Sequence, residues 1–416
     1  RVTPEAGVKT YASFSVSLLN QSTRAASTDP NAVATETKIS DLHIYIFNGG
    51  VLETKGKITL NTDNKGTTAL ATTTGTKTIY AVPNYSAKGD IGSLQSDFEK
   101  QLIAATDIAE ENGFFMAGKT EATLTEQDEN AAIANPIAIT VARGAAKVQM
   151  QFGTNVPVKP VVNASVADAK FTLAQPNSQM YLAKLTAGEF SPKGKTAEQT
   201  DADGDGTYDH LTKLPQEDAI KWTNGLTTYD NTFANSQYLA ENVNEAPTTG
   251  NTSYVLVSLQ VTPQATADAT GNVIATPLVA GTTFYVLAKK ELASGKITFA
   301  TKENKILYFK QESDAAAYKT VDQGVADYEV LAYTKGISYY RLNIRDIRET
   351  TLPKKYAVNR NHYYKVNITE ISNLGFNTAA GTIPTDPTTP LETQTHISAD
   401  ITIEPWTVVD MNEPLG

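Results

Sequence analysis

The 416-residue chain contains no cysteine, which removes disulfide frameworks, thiolate metal sites and cysteine nucleophiles together. Its stability has to come from packing. It also lacks an apolar run of about eighteen residues, the length a membrane-crossing helix needs. Basic residues are in the minority, 35 Lys and Arg against 45 Asp and Glu for a formal net charge of −10. No Lys/Arg cluster interleaved with aromatics occurs, which argues against nucleic acid and anionic membrane surfaces as partners. The histidines, His43, His210, His362 and His396, fall in separate segments without metal-ligand spacing and read as surface or strand residues. Nucleophile elbow, phosphate loop and zinc-peptidase helix motifs are all missing. Carboxylate pairs that meet only in space escape such a reading, but no feature of the sequence points to an enzyme.

What is present is β-branched and aromatic residues in short runs, separated by Gly, Asn, Asp and Pro. That is the pattern of all-β sandwiches and not of alternating βαβ units. The length allows two or three domains; the simplest division is two, residues 1–155 and 156–416, with the break near Pro157 and Pro160. In the first, Ile39 to Phe47 places Leu42, Ile44 and Ile46 on one face before an Asn48-Gly49-Gly50 turn. Thr76 to Val82 and Ala138 to Phe152 add strands, the latter with a bulge or bend expected at Arg143-Gly144-Ala145-Ala146. Leu94, Phe98, Leu102 and Ala105 recur at helical spacing after Ser93, predicting a surface helix that ends by Gly113. In the second, strands are expected at Tyr254–Val261, Thr283–Ala288, Ile306–Lys310, Ile337–Ile344 and His362–Ile371, and residues 187–253 read as long polar loops.

The two ends of the chain carry the most information. Ala12, Phe14, Val16 and Leu18 alternate with Tyr11, Ser13, Ser15 and Ser17, the two-residue period of a half-buried strand. Downstream, Arg24 sits in a polar, small-residue tether of the composition at which proteolytic nicking is easiest. The choice lies between a whole strand that an Arg-specific protease frees by cutting there and a mobile N-terminal strand with an incidental arginine. Burying Phe14, Val16 and Leu18 is worth roughly 1.5–3 kcal/mol each, so spontaneous loss is negligible. At the other end, residues 377–395 are rich in Thr, Pro and Gly and read as an extended linker. Ile397, Ala399, Ile401 and Ile403 then alternate with polar residues up to Pro405, which marks an edge or a change of sheet. The last residues, with Trp406, Val408, Val409 and Met411, are therefore expected to pair elsewhere than with their predecessors. The chain starts at Arg1-Val2-Thr3-Pro4 without a secretory signal, so a targeting segment is expected upstream.

One segment carries a ligand signature. Asp201, Asp203, Asp205 and Asp209, with Gly206 at the turn and the Thr207 carbonyl, match the oxygen cage of a calcium loop. Position twelve is Thr212, not a bidentate acid, and no helices flank the loop. The choice lies between a solitary extracellular-type Ca2+ site that orders the 187–253 insertion and a plain acidic turn; no cofactor is otherwise required.

Several separated segments together resemble the type V fimbrillins of Bacteroidia, the FimA and short Mfa-type fimbrial subunits. They are Ser13 to Ala25, Lys38 to Phe47, Lys77 to Asn84, Phe115 to Lys119, Ala142 to Lys147, Asn251 to Val257, Asn361 to Ile368 and Ile401 to Val408. Their order and spacing carry the resemblance; residues 160–250, the Asp-rich loop included, have no counterpart in it. The resemblance implies two transthyretin-like β-sandwich domains with few short helices, in a lipoprotein precursor bound for the outer membrane and the surface fimbrium. It also implies head-to-tail assembly with neighbouring subunits by donor-strand exchange. By the same resemblance an Arg-specific protease would cut between Arg24 and Ala25, the lost strand would be about residues 8–19, and a segment within Trp406–Leu415 of a neighbour would replace it. The alternative is a tip or accessory adhesin binding a host protein or glycan.

Overall fold

The computed structural model describes residues 7–19, 34–85, 93–111, 113–183, 199–230, 232–345, 350–352, 354–391 and 397–405. The protein is mostly β, as expected. β1 (Lys9–Ala12) and β2 (Phe14–Leu18) open the chain, followed by β3 (Leu42–Asn48), β4 (Val51–Ile58), β5 (Leu70–Thr73) and β6 (Gly75–Pro83). The first domain is built on a six-stranded sheet in the order β2, Ile137–Arg143, Met116–Leu124, β6, β3, β4. Leu42, Ile44, Ile46, Ile79, Val82 and Val141 fill its core together with the side chains of β1 and β2. Tyr45, Phe47 and Tyr80 surround Phe98 at ring-centroid distances of 4.9, 5.5 and 4.7 Å, separations at which aromatic pairs add to simple burial.

The helix expected from Ser93 to Gly113 shortens to one turn, Gln95–Phe98, with Leu94 at its cap and no capping side chain. The chain then extends, because Leu102–Ala104 forms a ladder with Gln179–Tyr181. Ile103, off the predicted helical face, is buried as well. A tertiary ladder has overridden a local period.

The long segment from Ala138 to Phe152 breaks at Gly144 as its composition suggests, and the break is a change of sheet. Ile137–Arg143 stays in the first sheet, while Ala145–Phe152, left with the first domain by a boundary at 155, sits inside a second one. That sheet has the order Gln237–Ala240, Ala145–Phe152, His362–Ile371, Ile397–Pro405. Facing it is a sheet of Thr223–Asn224, Ala164–Ala174, Tyr254–Pro263 and Ile337–Asn343, with Val148, Met150, Phe171, Val257, Tyr340, Tyr364 and Val366 in the core between them. A further small sheet centred on Phe284–Glu291 carries the helix Glu312–Val321.

The expected linker is not extended in its described part. Ala379, Thr382, Thr389 and Leu391 are buried, Thr249 and Gly250 donate backbone hydrogen bonds to Thr389 and Pro387 at 2.9 Å each, and Thr385 donates to Leu292 at 2.9 Å. Asp386 and Thr388 close local turns on themselves. A Thr/Pro/Asp segment cannot build a core of its own, but it can satisfy its backbone against another loop. That loop is the end of the polar 187–253 insertion, where Asn242, Asn244, Asn251, Thr252 and Ser253 are buried. The amides of Asn242 and Asn244 donate to the Asn251 carbonyl at 3.0 and 2.8 Å.

Candidate strand groove and acidic loop

The first strand of the chain lies in a groove and is bonded along both edges. β1 forms an antiparallel ladder with β5, from Lys9 opposite Thr73 to Ala12 opposite Leu70. At Ser13 the chain crosses to the other sheet, and β2 runs parallel to Ile137–Arg143, from Phe14 opposite Ile137 to Leu18 opposite Val141. The opposite edges are covered by loops. Val16 donates to the Asn64 carbonyl at 2.9 Å and the Phe14 carbonyl accepts from Gly66 at 2.7 Å. Beside β1, the Thr10 hydroxyl donates to the Thr125 carbonyl at 2.7 Å, and Gln127 returns bonds to the Thr10 hydroxyl and the Tyr11 carbonyl at 2.9 Å each.

The predicted inward residues all face the core. Ala12 and Phe14 are 0 % exposed, Val16 6 % and Leu18 4 %. Sequence alternation missed two contacts. Thr10 is enclosed one step earlier on the same face, and Ser13, expected to face solvent, is buried where the strand changes sheet, its hydroxyl donating to the Thr68 carbonyl at 2.7 Å. Gly66 makes this possible: a Cβ there would collide with the Ser13 hydroxyl and lie 3.0 Å from the Phe14 carbonyl. No local signal reveals such an approach.

Arg24 and Ala25, and Trp406, Val408, Val409 and Met411, lie outside the described residues. Their neighbours are placed. Past the expected cut, Glu36 is fully buried between the six-stranded sheet and the sheet that holds Ala145–Phe152. It pairs with the enclosed Lys147 ammonium at 2.8 Å, accepts the Tyr238 hydroxyl at 2.6 Å, and its carbonyl accepts from Arg143 at 2.6 Å. Burial, reinforced by the Glu36 charge, raises the Tyr238 phenol far above its ordinary range. At the other end, Ile397–Pro405 forms an antiparallel ladder with His362–Ile371 and, among the described residues, stands at the edge of its sheet.

Behind β5 lies a second charged cluster that composition gave no reason to single out. One oxygen of Glu53, on β4, accepts from the Thr72 hydroxyl, the Thr73 amide and the Thr73 hydroxyl, each at 2.8 Å. The other accepts from the Lys77 ammonium, on β6, at 2.7 Å. Burial alone would raise the Glu53 carboxyl, but these donors outweigh it and hold it down to about 2.

In the acidic loop, carboxylate oxygens of Asp201, Asp203 and Asp209 come within 4.8 Å of one another. Asp201 also accepts the Asp205 and Gly206 amides, both at 3.1 Å, which folds the loop as a calcium loop would fold. Asp205 is not one of these three; it accepts the Thr207 amide at 2.8 Å and lies 3.2 Å from Lys213. The Lys213 ammonium also pairs directly with Asp203. Gly206, with φ +83°, packs against the Pro384 carbonyl so closely that no Cβ fits. The donor set suits a weak cation site in which Lys213 supplies the competing charge.

This all-β chain thus has its first described strands in a groove and, among the described residues, Ile397–Pro405 at the edge of another sheet. Two family models match it: Major fimbrial subunit protein (FimA) over residues 11–181, and Major fimbrial subunit protein type IV, Fimbrillin, C-terminal, over residues 331–412. The chain belongs to the FimA/Mfa-type fimbrillin family. No curated protein matches it significantly in sequence. Among solved structures, a fimbrilin (fimA) from Porphyromonas gingivalis W83 aligns with TM-score 0.51 and 15% identity over 97% of this chain and 99% of the other. A protein of Parabacteroides distasonis ATCC 8503, described as a candidate cell adhesion protein, aligns with TM-score 0.50 and 14% identity over 96% and 98%. These likenesses show the shared fold. The protein is thus a structural subunit of a cell-surface fimbrium that associates with other fimbrial subunits, and not an enzyme.

Proposed function

We propose that the chain is a fimbrial shaft subunit, activated when an Arg-specific protease cuts between Arg24 and Ala25 of a lipid-anchored outer-membrane precursor. The observation that carries this reading is the position of Lys9–Leu18. A strand bonded along both edges, with every inward side chain buried, stands at the start of the chain with its connection near the expected cut. While tethered it refolds into its groove intramolecularly; once cut, its return is bimolecular and a neighbour's strand competes. An empty groove exposes apolar surface and unpaired backbone, which favours filling by the next subunit. The donor in this reading is the segment containing Trp406, Val408, Val409 and Met411, and repeated filling gives a head-to-tail, non-closing filament.

The test is incubation of wild type and Arg24→Ala with an Arg-specific protease, followed by size analysis. Wild type should give ladders and Arg24→Ala monomers; equal polymerisation of both defeats the reading. A tip adhesin that binds host protein or glycan needs a groove but no donor, so a cut wild-type chain that accepts a neighbour's strand yet forms no ladders of itself would favour that role instead. For the Asp201 loop the reading is a structural calcium site in which the ion competes with Lys213.

A further inference from the structure

Strand exchange, the premise of this inference, sets a problem that the geometry of β5 makes acute. Among the described residues the only strand partner of β5 is β1. When β1 leaves, β5 loses its whole backbone ladder. A loose β5 would offer no edge for an incoming strand, and folding it back would slow capture and lower affinity by the cost of ordering it.

Yet β5 has a second set of attachments that never touches β1. The Glu53 carboxylate holds the Thr72 and Thr73 hydroxyls and the Thr73 amide, and Lys77 holds Glu53 at 2.7 Å and the Thr73 hydroxyl at 2.9 Å. The Thr54 hydroxyl donates to the Ala71 carbonyl at 3.0 Å. Leu70 covers Gly56, where an added Cβ would lie 2.6 Å from its Cδ2. The Lys77 side chain is fully enclosed and that of Glu53 is 20% exposed. A buried ion pair is seldom the most stable filling for its space, because desolvation offsets much of the attraction. What it supplies is fixed geometry, and here it aims at the two threonines opposite Lys9 and Thr10.

We propose that Glu53 and Lys77 form a receptor lock: they keep β5 in register on β4 and β6 while the groove is empty, so that the incoming strand meets a preformed edge. Both act through β5 and are positioning residues. The lock belongs to the permanent part of the subunit, since β4 and β6 are laddered to β3 and do not depend on the exchanged strand.

The test compares wild type, Glu53→Ala and Thr73→Val, which removes only the hydroxyl bonds of the lock. Each is examined uncut, after Arg-specific cleavage, and as a chain beginning at Ala25, the product of the cut. Amide hydrogen exchange at residues 70–73 and the rate of polymerisation are followed. Uncut variants should protect residues 70–73 as wild type does, because β1 still holds β5. After the cut, and in the chain beginning at Ala25, protection in the variants should fall by about tenfold or more and polymerisation should slow by a similar factor. Wild-type protection and rates in both variants would overturn the lock. If wild type itself fails to polymerise after the cut, strand exchange falls, and protection in the chain beginning at Ala25 still decides whether the lock exists.

Discussion

The strand at the start of the chain and the strand at its end are held in different ways. Lys9–Leu18 has ladder partners on one edge and loop donors and acceptors on the other, with its side chains in the core. Among the described residues, Ile397–Pro405 forms a ladder on one edge only, with His362–Ile371. A strand enclosed on both sides leaves only if its tether is cut and a substitute arrives. A strand at an edge can peel without emptying a groove. On the strand-exchange reading proposed above, the difference suits the two ends to opposite tasks, retention and reach, on one subunit.

The strongest test of that contrast is Phe14→Ala in the uncut chain. Truncating a fully buried phenylalanine costs about 3–5 kcal/mol, read as a lower urea midpoint. Deleting residues 406–416 should cost less, because on the strand-exchange reading that segment fills a neighbour's groove and not one of its own subunit. If the deletion lowers the midpoint as much as Phe14→Ala, the two ends are equally integral and the contrast fails. A smaller effect is expected at Gly66. Gly66→Val forces a side chain into the Ser13 hydroxyl and should destabilise the uncut chain by about 1–3 kcal/mol. It should also speed strand loss after cleavage, measured as the rate at which the N-terminal peptide appears free in solution; an unchanged rate would mean that this loop does not retain the strand.

Much of the first strand was legible because a two-residue period is local: Ala12, Phe14, Val16 and Leu18 face inward as their spacing requires. Its parallel pairing with Ile137–Arg143 and the crossing at Ser13 were not legible, since they depend on partners far along the chain. The Glu53–Lys77 pair was hidden for a related reason. Glu53, Lys55 and Lys57 alternate in β4, and with Lys77 in β6 they look like a solvated face until β5 is laid over them. Composition misled at residues 377–391, where Thr, Pro and Asp suggested a free linker. Low apolar content excludes a separate core but does not exclude backbone bonding to the 248–250 loop.

Acid should separate the two ends more gently. The Glu53 carboxyl, with its ordinary value at 4.5, is held down to about 2 in the folded chain, by donors that outweigh its burial. A depressed carboxyl contributes stability that is complete above its unfolded value and lost as pH falls through its folded one. In the chain beginning at Ala25, where β1 no longer holds β5, the hold on β5 should therefore weaken between pH 4.5 and about 2, and Glu53→Gln should remove that part of the pH dependence. Hydrogen exchange at residues 70–73 against pH checks it; the same slope in the variant would place the titration elsewhere.

The smallest effect expected is that of calcium, and it should fall on the other end. Gly206 packs against Pro384, and the Tyr208 amide donates to the Gly250 carbonyl at 3.2 Å, beside the bond from Gly250 to Pro387. Ordering the acidic loop thus braces the segment that leads to the last strand and leaves the first-domain groove alone. Binding has to displace the Lys213 ammonium from Asp203 and Asp205, which keeps the affinity in the millimolar range of extracellular sites. At such affinity, about 1 mM Ca2+ adds on the order of 0.4–1.4 kcal/mol, a rise of a few degrees at most in the melting temperature. Lys213→Ala should bind more tightly and show the larger rise, because the competing cation is gone. In both proteins the rate of strand release after cleavage should not respond to calcium. A melting temperature that ignores calcium in wild type and variant alike reduces the loop to an acidic turn, whereas a release rate that responds would couple the two ends that the bonding pattern keeps apart.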